Sequence, residues 1–115
     1  MDTSENRLER IINGFIEKLS NEIDIDEVIL FGSHANGTSK KHSDIDLAII
    51  SDSFLGKSHI KNMQFLSRMA ARYNNIIEAL PFTLQEYKNL DHRTLLASIV
   101  KSGKTIYSKN ENMSG

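Results

Sequence analysis

The chain predicts a small α/β (α+β) domain in which helices pack on one mixed β-sheet. Three observations carry this. Its 115 residues, 39% of them hydrophobic and 25% charged, suffice for one core and are too few for two. Apolar residues recur at helical spacing in some stretches and as short runs or alternations in others. These stretches alternate along the chain, with one proline and no linker, repeat or biased tract between them.

From Arg7 to Ser20, the residues Leu8, Ile11, Ile12, Phe15, Ile16 and Leu19 fall on one helical face, with Asp2 and Glu5 placed as a capping pair. Val28-Ile29-Leu30-Phe31 is a short apolar run stopped by Gly32-Ser33, the pattern of a buried strand that ends in a tight turn. A polar segment, Ser33 to Ser43, leads into Asp44-Ile45-Asp46-Leu47-Ala48-Ile49-Ile50. That strand alternates at first and is then apolar throughout, as expected of a central strand whose leading end reaches water. Ile60 to Tyr73 carries Met63, Phe65, Leu66, Met69 and Ala70 at roughly helical spacing, punctuated by Asn74-Asn75. Ile76 to Leu80 is expected as a third strand, ended by Pro81, which has no N–H to donate to a ladder. Thr83-Leu84-Gln85-Glu86 fits a capping box. A final helix from about His92 to Lys101 takes Asp91 as its N-cap and Gly103 as its stop, and Thr105-Ile106-Tyr107 adds an edge strand. Residues 1–108 read as a single domain and 109–115 as a flexible tail.

Composition narrows the function classes. Without cysteine there are no disulfides, zinc-thiolate sites or thiol nucleophiles, and a cytoplasmic location is the simplest expectation. No apolar run approaches the ~20 residues of a membrane span, and Met1 to Arg10 is polar rather than signal-like. Fourteen basic against fifteen acidic residues leave a formal charge of -1, so sequence-independent nucleic-acid binding is not expected. Any polyanion must be held locally.

The chemistry concentrates between Leu30 and Leu47. Strand residues two apart share a face about 6.6 Å apart, so Asp44 and Asp46 project together. Such a pair is either simply solvated or holds cations, and a pair of Mg²⁺ ions suits phosphoryl or nucleotidyl transfer. Asp24-Ile25-Asp26 repeats the tripeptide without a preceding Gly-Ser turn and leads into a strand, so it reads as a charged loop. The copy at Asp44 instead follows Gly32-Ser33 after ten residues, which can bring turn and carboxylates to one edge of neighbouring strands. There Gly32 lets a phosphate approach the backbone, and Ser33 either binds that phosphate or serves as a plain N-cap.

Gly32 to Ser39 also spaces like a P-loop, but Thr38 occupies the lysine position and no long helix pattern follows, which removes that reading. Lys40 and Lys41 either neutralise a triphosphate or are solvated. Glu78 is the only acid within the expected third strand. It either faces outward at an edge or faces the site, where it could ligate a metal and accept a proton from an attacking hydroxyl. His34, His42, His59 and His92 are scattered, none at metal-pair spacing, and a surface position is expected for them.

Together Gly32-Ser33, Gly37, Asp44-Ile45-Asp46 and Glu78 resemble the DNA polymerase β-like nucleotidyltransferase superfamily. At this length the likeness is to its minimal nucleotidyltransferase (MNT) branch, the antitoxin partners of HEPN toxins, and it extends from Val28 to Tyr107. The resemblance implies the polymerase β-like fold, with Asp44 and Asp46 binding two Mg²⁺ ions, Glu78 completing the site and Gly32-Ser33 holding the nucleoside triphosphate. It also implies the reaction: AMP passes from ATP to a tyrosine of the HEPN toxin, pyrophosphate leaves, and the toxin is inactivated. His34 and Asn36 depart from the pattern, since many relatives carry arginine and another basic residue there, and a mostly neutral imidazole is a weaker phosphate partner than a guanidinium. Two alternatives stand beside this one: a binding-only antitoxin without turnover, and an enzyme acting on a small molecule. The second usually needs another domain for its acceptor pocket.

Overall fold

A computed structural model of the chain describes residues 4–38 and 43–109, with side chains from residue 7 onward. The expected cap of Asp2 and Glu5, the lysines Lys40 and Lys41, His42 and the tail after residue 109 lie outside what is described.

The element order follows the sequence reading. Helix α1 (Ser4–Ser20) leads to strand β1 (Glu27–Phe31), a single-turn helix α2 (Ser33–Asn36) and strand β2 (Ile45–Ile50). A 3-10 turn at Asp52–Phe54, which periodicity did not mark, precedes α3 (His59–Tyr73), β3 (Ile77–Phe82), α4 (Leu84–Lys88), α5 (Leu95–Ser102) and β4 (Lys104–Ser108). The sheet order is β3-β2-β1-β4, with β1 antiparallel to both neighbours and β2 parallel to β3.

Each strand sorts its side chains by the period of two. One face of the sheet, with Val28, Leu30, Ile45, Leu47, Ile49 and Ile77, packs against Ile12, Phe15, Ile16 and Leu19 of α1 and Leu66 and Ala70 of α3. On the other face Ile29, Ala48, Ile50 and Phe82 meet Leu96 and Ile99 of α5, flanked by Leu84 and Tyr87 of α4. Gly103 allows this second packing: a Cβ there would stand 2.7 Å from Ile29 Cγ2 and 2.8 Å from the Leu30 carbonyl oxygen. Among the described residues, no helix is long and apolar enough to cross a membrane.

Three expectations about boundaries need correction. Strand β2 begins at Ile45, so Asp44 stands just before the strand rather than on it. Pro81 does not end β3, which runs on to Phe82 with Pro81 opposite Ile49. The Ile76 and Phe82 carbonyls accept from the Ile45 and Ser51 amides, so the even-numbered residues of β3 turn their main-chain groups toward β2. The nitrogen of Pro81 faces away from the ladder, where a missing N–H costs nothing. Asp91 does not cap the last helix either. Its carboxylate accepts from Arg93 N, Nε and Nη2 at 2.9–3.1 Å. The cap passes to Thr94, whose hydroxyl oxygen accepts from Ala97 N at 3.2 Å, and the helix starts at Leu95. The Thr83–Glu86 capping box forms as expected.

Candidate active site

Strand pairing brings the candidate carboxylates together. In the β1–β2 ladder Phe31 stands opposite Asp46, and in the β2–β3 ladder Asp46 stands opposite Glu78. Asp46 and Glu78 therefore share a rung and a face, the face that α5 covers further along at Ala48 and Ile50. That rung is open: Asp46 is half-buried, Asp44 and Glu78 exposed. Glu78 thus faces the site rather than pointing away from it.

The environment of Glu78 is itself diagnostic. Its carboxyl is held above the ordinary 4.5, first by a side-chain hydrogen bond with Asp46, then by burial, then by the negative charges of Asp44 and Asp46. A carboxyl group donates only when protonated, so this hydrogen bond favours a proton on Glu78. Two full charges about 5 Å apart in a water-like medium repel by only about 1 kcal/mol, a load that a fold of this size can carry.

Gly32 closes the rung from the side of β1. Its φ of 73° and ψ of -151° lie in a region that is essentially glycine's alone. A Cβ there would collide with Asp46 Oδ2, so the backbone and the carboxylate pack in direct contact. Gly32 also occupies the N-cap position of α2, without a side-chain cap. Ser33 is accordingly the first residue inside the turn and not a plain N-cap. Its N–H and that of His34 belong to the first turn, whose amides have no partner within a helix.

Carboxylate oxygens alone fit a hard cation such as Mg²⁺ better than a thiophilic metal. The three acids do not converge equally, however. Asp46 and Glu78 touch, Asp44 reaches Glu78 only through its charge, and among the described residues no three acidic or histidine side chains form a ready-made metal cage.

The sequence profile described as Polymerase beta, Nucleotidyltransferase matches residues 13–112. The chain belongs to this family. No curated protein sequence matches it significantly. Among solved structures, a proposed nucleotidyltransferase of Sulfolobus solfataricus shares the fold with a TM-score of 0.69 at 17% identity, over 91% of this chain and 84% of that one. A toxin-antitoxin structure with AMP-PNP aligns with a TM-score of 0.52 at 19% identity, over 96% of this chain and 77% of that one. The toxin-antitoxin MntA-HpeT, solved as a tyrosine-to-alanine mutant, aligns with a TM-score of 0.52 at 18% identity over the same shares, 96% and 77%.

Within this nucleotidyltransferase domain, the two Asp-Ile-Asp copies have different work. Asp24 pairs with Lys109 at 2.8 Å and donates its N–H to Ser53 Oγ at 3.2 Å. Asp26 Oδ2 accepts from the Asp52 amide at 2.9 Å, and Ile25 is buried in the core. This copy sits beside Ile50, at the far end of β2 from Asp46, and joins the chain after β4 to the start of β1. Replacing Asp24 and Asp26 together with Asn should leave Mg²⁺-dependent transfer within a few-fold of the parent, measured as nucleotide incorporated per unit time. Loss of transfer in a folded double variant would transfer the catalytic assignment to this copy.

His34 corrects the surface expectation. It is half-buried, and its Nε2 lies 3.2 Å from the Ser43 carbonyl oxygen, which can only accept. The imidazole thus ties the Gly32 turn to the residue before Asp44, a positioning role that no local pattern signals. Phe31 was likewise legible as core but not as the neighbour of Asp46.

Proposed function

We propose that this chain is a Mg²⁺-dependent nucleotidyltransferase that moves AMP from ATP to a tyrosine hydroxyl of a HEPN-type toxin, and so acts in the cytoplasm as the antitoxin of that pair. The observation that carries the reading is the Asp46–Glu78 rung with Gly32 packed against it, in a chain that the nucleotidyltransferase profile matches over residues 13–112. Related folds add support: one toxin-antitoxin structure contains AMP-PNP, and an MntA-HpeT mutant replaces two aspartates, two positions apart, with glutamate. That spacing is the spacing of Asp44 and Asp46.

Asp44, Asp46 and Glu78 would hold the metal, and two bound Mg²⁺ ions would supply positive charge to the triphosphate. The first-turn amides of Ser33 and His34, with the Ser33 hydroxyl and the lysines Lys40 and Lys41, would bind phosphate oxygens. The acceptor hydroxyl attacks the α-phosphorus. A new oxygen–phosphorus bond forms as the bond to the β-phosphate bridging oxygen breaks, and pyrophosphate leaves. The hydroxyl proton passes to the Glu78 carboxylate, once the bound cations favour its ionised form.

Glu78→Gln should retain nucleotide and partner binding and lose about 10²- to 10⁴-fold in transfer. The check is the intact mass of the co-purified partner after incubation with ATP and Mg²⁺, parent and variant side by side. If no nucleotide is gained from any of the common triphosphates while the complex still forms, the binding-only antitoxin is the correct reading.

A further inference from the structure

The row Phe31, Asp46, Glu78 runs across three strands and stops at a bare edge, because β3 is the outermost strand on that side. Odd-numbered residues of β3 turn their main-chain groups outward. The Ile77 N–H is taken by the Asn74 carbonyl at 3.1 Å, and Pro81 has none to offer. Among the described residues, the Ala79 N–H and C=O are left without a protein partner. A groove of about 550 Å³ follows this edge, a size usual for ligand sites, with Met63, Ser67 and Ala71 of α3 on one side and Glu78 and Asp46 at its rim. Among the described residues, no basic side chain lines it.

Resting on the transferase reading above, we infer that the partner's acceptor segment docks on the β3 edge as an added β-strand, so that its hydroxyl side chain takes the ladder position next to Glu78. Main-chain pairing with Ala79 would set the register, as in other strand-addition complexes. Paired strands lie about 4.8 Å apart and place opposed Cβ atoms about 4.5–5.5 Å from each other. A residue opposite Glu78 therefore presents its side chain on the carboxylate face, while its neighbours in the segment turn toward Met63, Ser67 and Ala71. Pro81 ends the donors on this edge and confines pairing to the rung that bears the site. The two carboxylates favour a segment that is neutral or basic around its hydroxyl. The opposite edge is less suited: β4 exposes Lys104 and Thr105 and its register with β1 shifts between Val28 and Ile29, features that discourage pairing.

The test is amide hydrogen exchange on the full chain, alone and with the protein co-expressed from the adjacent gene. Exchange at Ala79 should slow roughly tenfold or more in the complex. Ala79→Pro, which removes the donor, should lose transfer to the partner by a similar factor while binding AMP-PNP as the parent does. A complex that leaves Ala79 unprotected overturns the strand docking and leaves the transferase reading intact. Protection without nucleotide transfer supports the docking and overturns the chemistry. If no complex forms, the partner reading falls and the docking with it.

Discussion

Asp46→Asn is expected to abolish nucleotidyl transfer and to leave the metal-free protein at least as resistant to heat as the parent. Asp46 occupies the middle of the carboxylate row, opposite both Phe31 and Glu78, and an amide in its place brings no charge to a cation. Activity should fall to background in the presence of Mg²⁺. Stability should move the other way because the carboxylates repel one another without metal. Glu78 has its folded-state pKa raised above 4.5, so its contribution to stability is fully present below about that pH and is lost as pH rises through the higher folded value. At neutral pH the row is therefore a net burden, which Asp46→Asn relieves while its amide still accepts or donates a hydrogen bond. Melting in chelator at neutral pH should show the variant equal to or above the parent, with the gap closing in acid. Added Mg²⁺ should reverse the order: a ligand at 100 times its Kd stabilises by about 2.7 kcal/mol, and only the parent should gain it. Asp44→Asn should lose transfer as well, with a smaller change in metal-free melting, because Asp44 reaches Glu78 through charge alone. Full transfer by either variant would sink the assignment.

Gly32→Ala should cost both fold and function. A residue other than glycine held at φ 73° and ψ -151° is strained by roughly 1–3 kcal/mol. The added methyl also meets Asp46 Oδ2, and relief requires the end of β1 to draw away from β2 or the carboxylate to leave its rung. The combined cost is roughly 2–4 kcal/mol, or a fall in Tm of about 10 °C or more for a domain of this size. The substitution changes no charge and no hydrogen-bonding side chain, so a folded Gly32→Ala protein that has lost transfer would locate the requirement in backbone approach. An unchanged Tm with full transfer would show that the turn does not hold the site together.

Much of this architecture is written in short-range patterns. The spacing of Leu8 to Leu19 marks α1, the apolar run from Val28 marks β1, and Thr83 with Glu86 marks the start of α4, because each rests on contacts within a few residues. Where several local partners compete, the sequence is ambiguous. Asp91 and Thr94 are both good caps, and only the geometry of Arg93, which occupies the Asp91 carboxylate, decides for Thr94. His34 shows the limit from another side: its bond to the Ser43 carbonyl closes a loop, and nothing in the neighbouring residues announces it.

The sequence by itself determined the alternation of elements, the close spacing of Asp44 and Asp46 at the leading end of β2, and the Gly-Ser turn ten residues before them. It determined these because side-chain period, turn chemistry and capping are local properties of the chain. Tertiary structure alone decided which strand lies beside which. A period of two assigns Glu78 to a face of its own strand but not to a neighbour, and its choice between solvent and site was settled only when β3 paired in parallel with β2 in the register that sets Glu78 opposite Asp46. The same pairing left β3 as the sheet edge, made Pro81 harmless within it and turned an isolated glutamate into one end of a row with Asp46, because register is fixed by the burial of whole faces and not by any single residue.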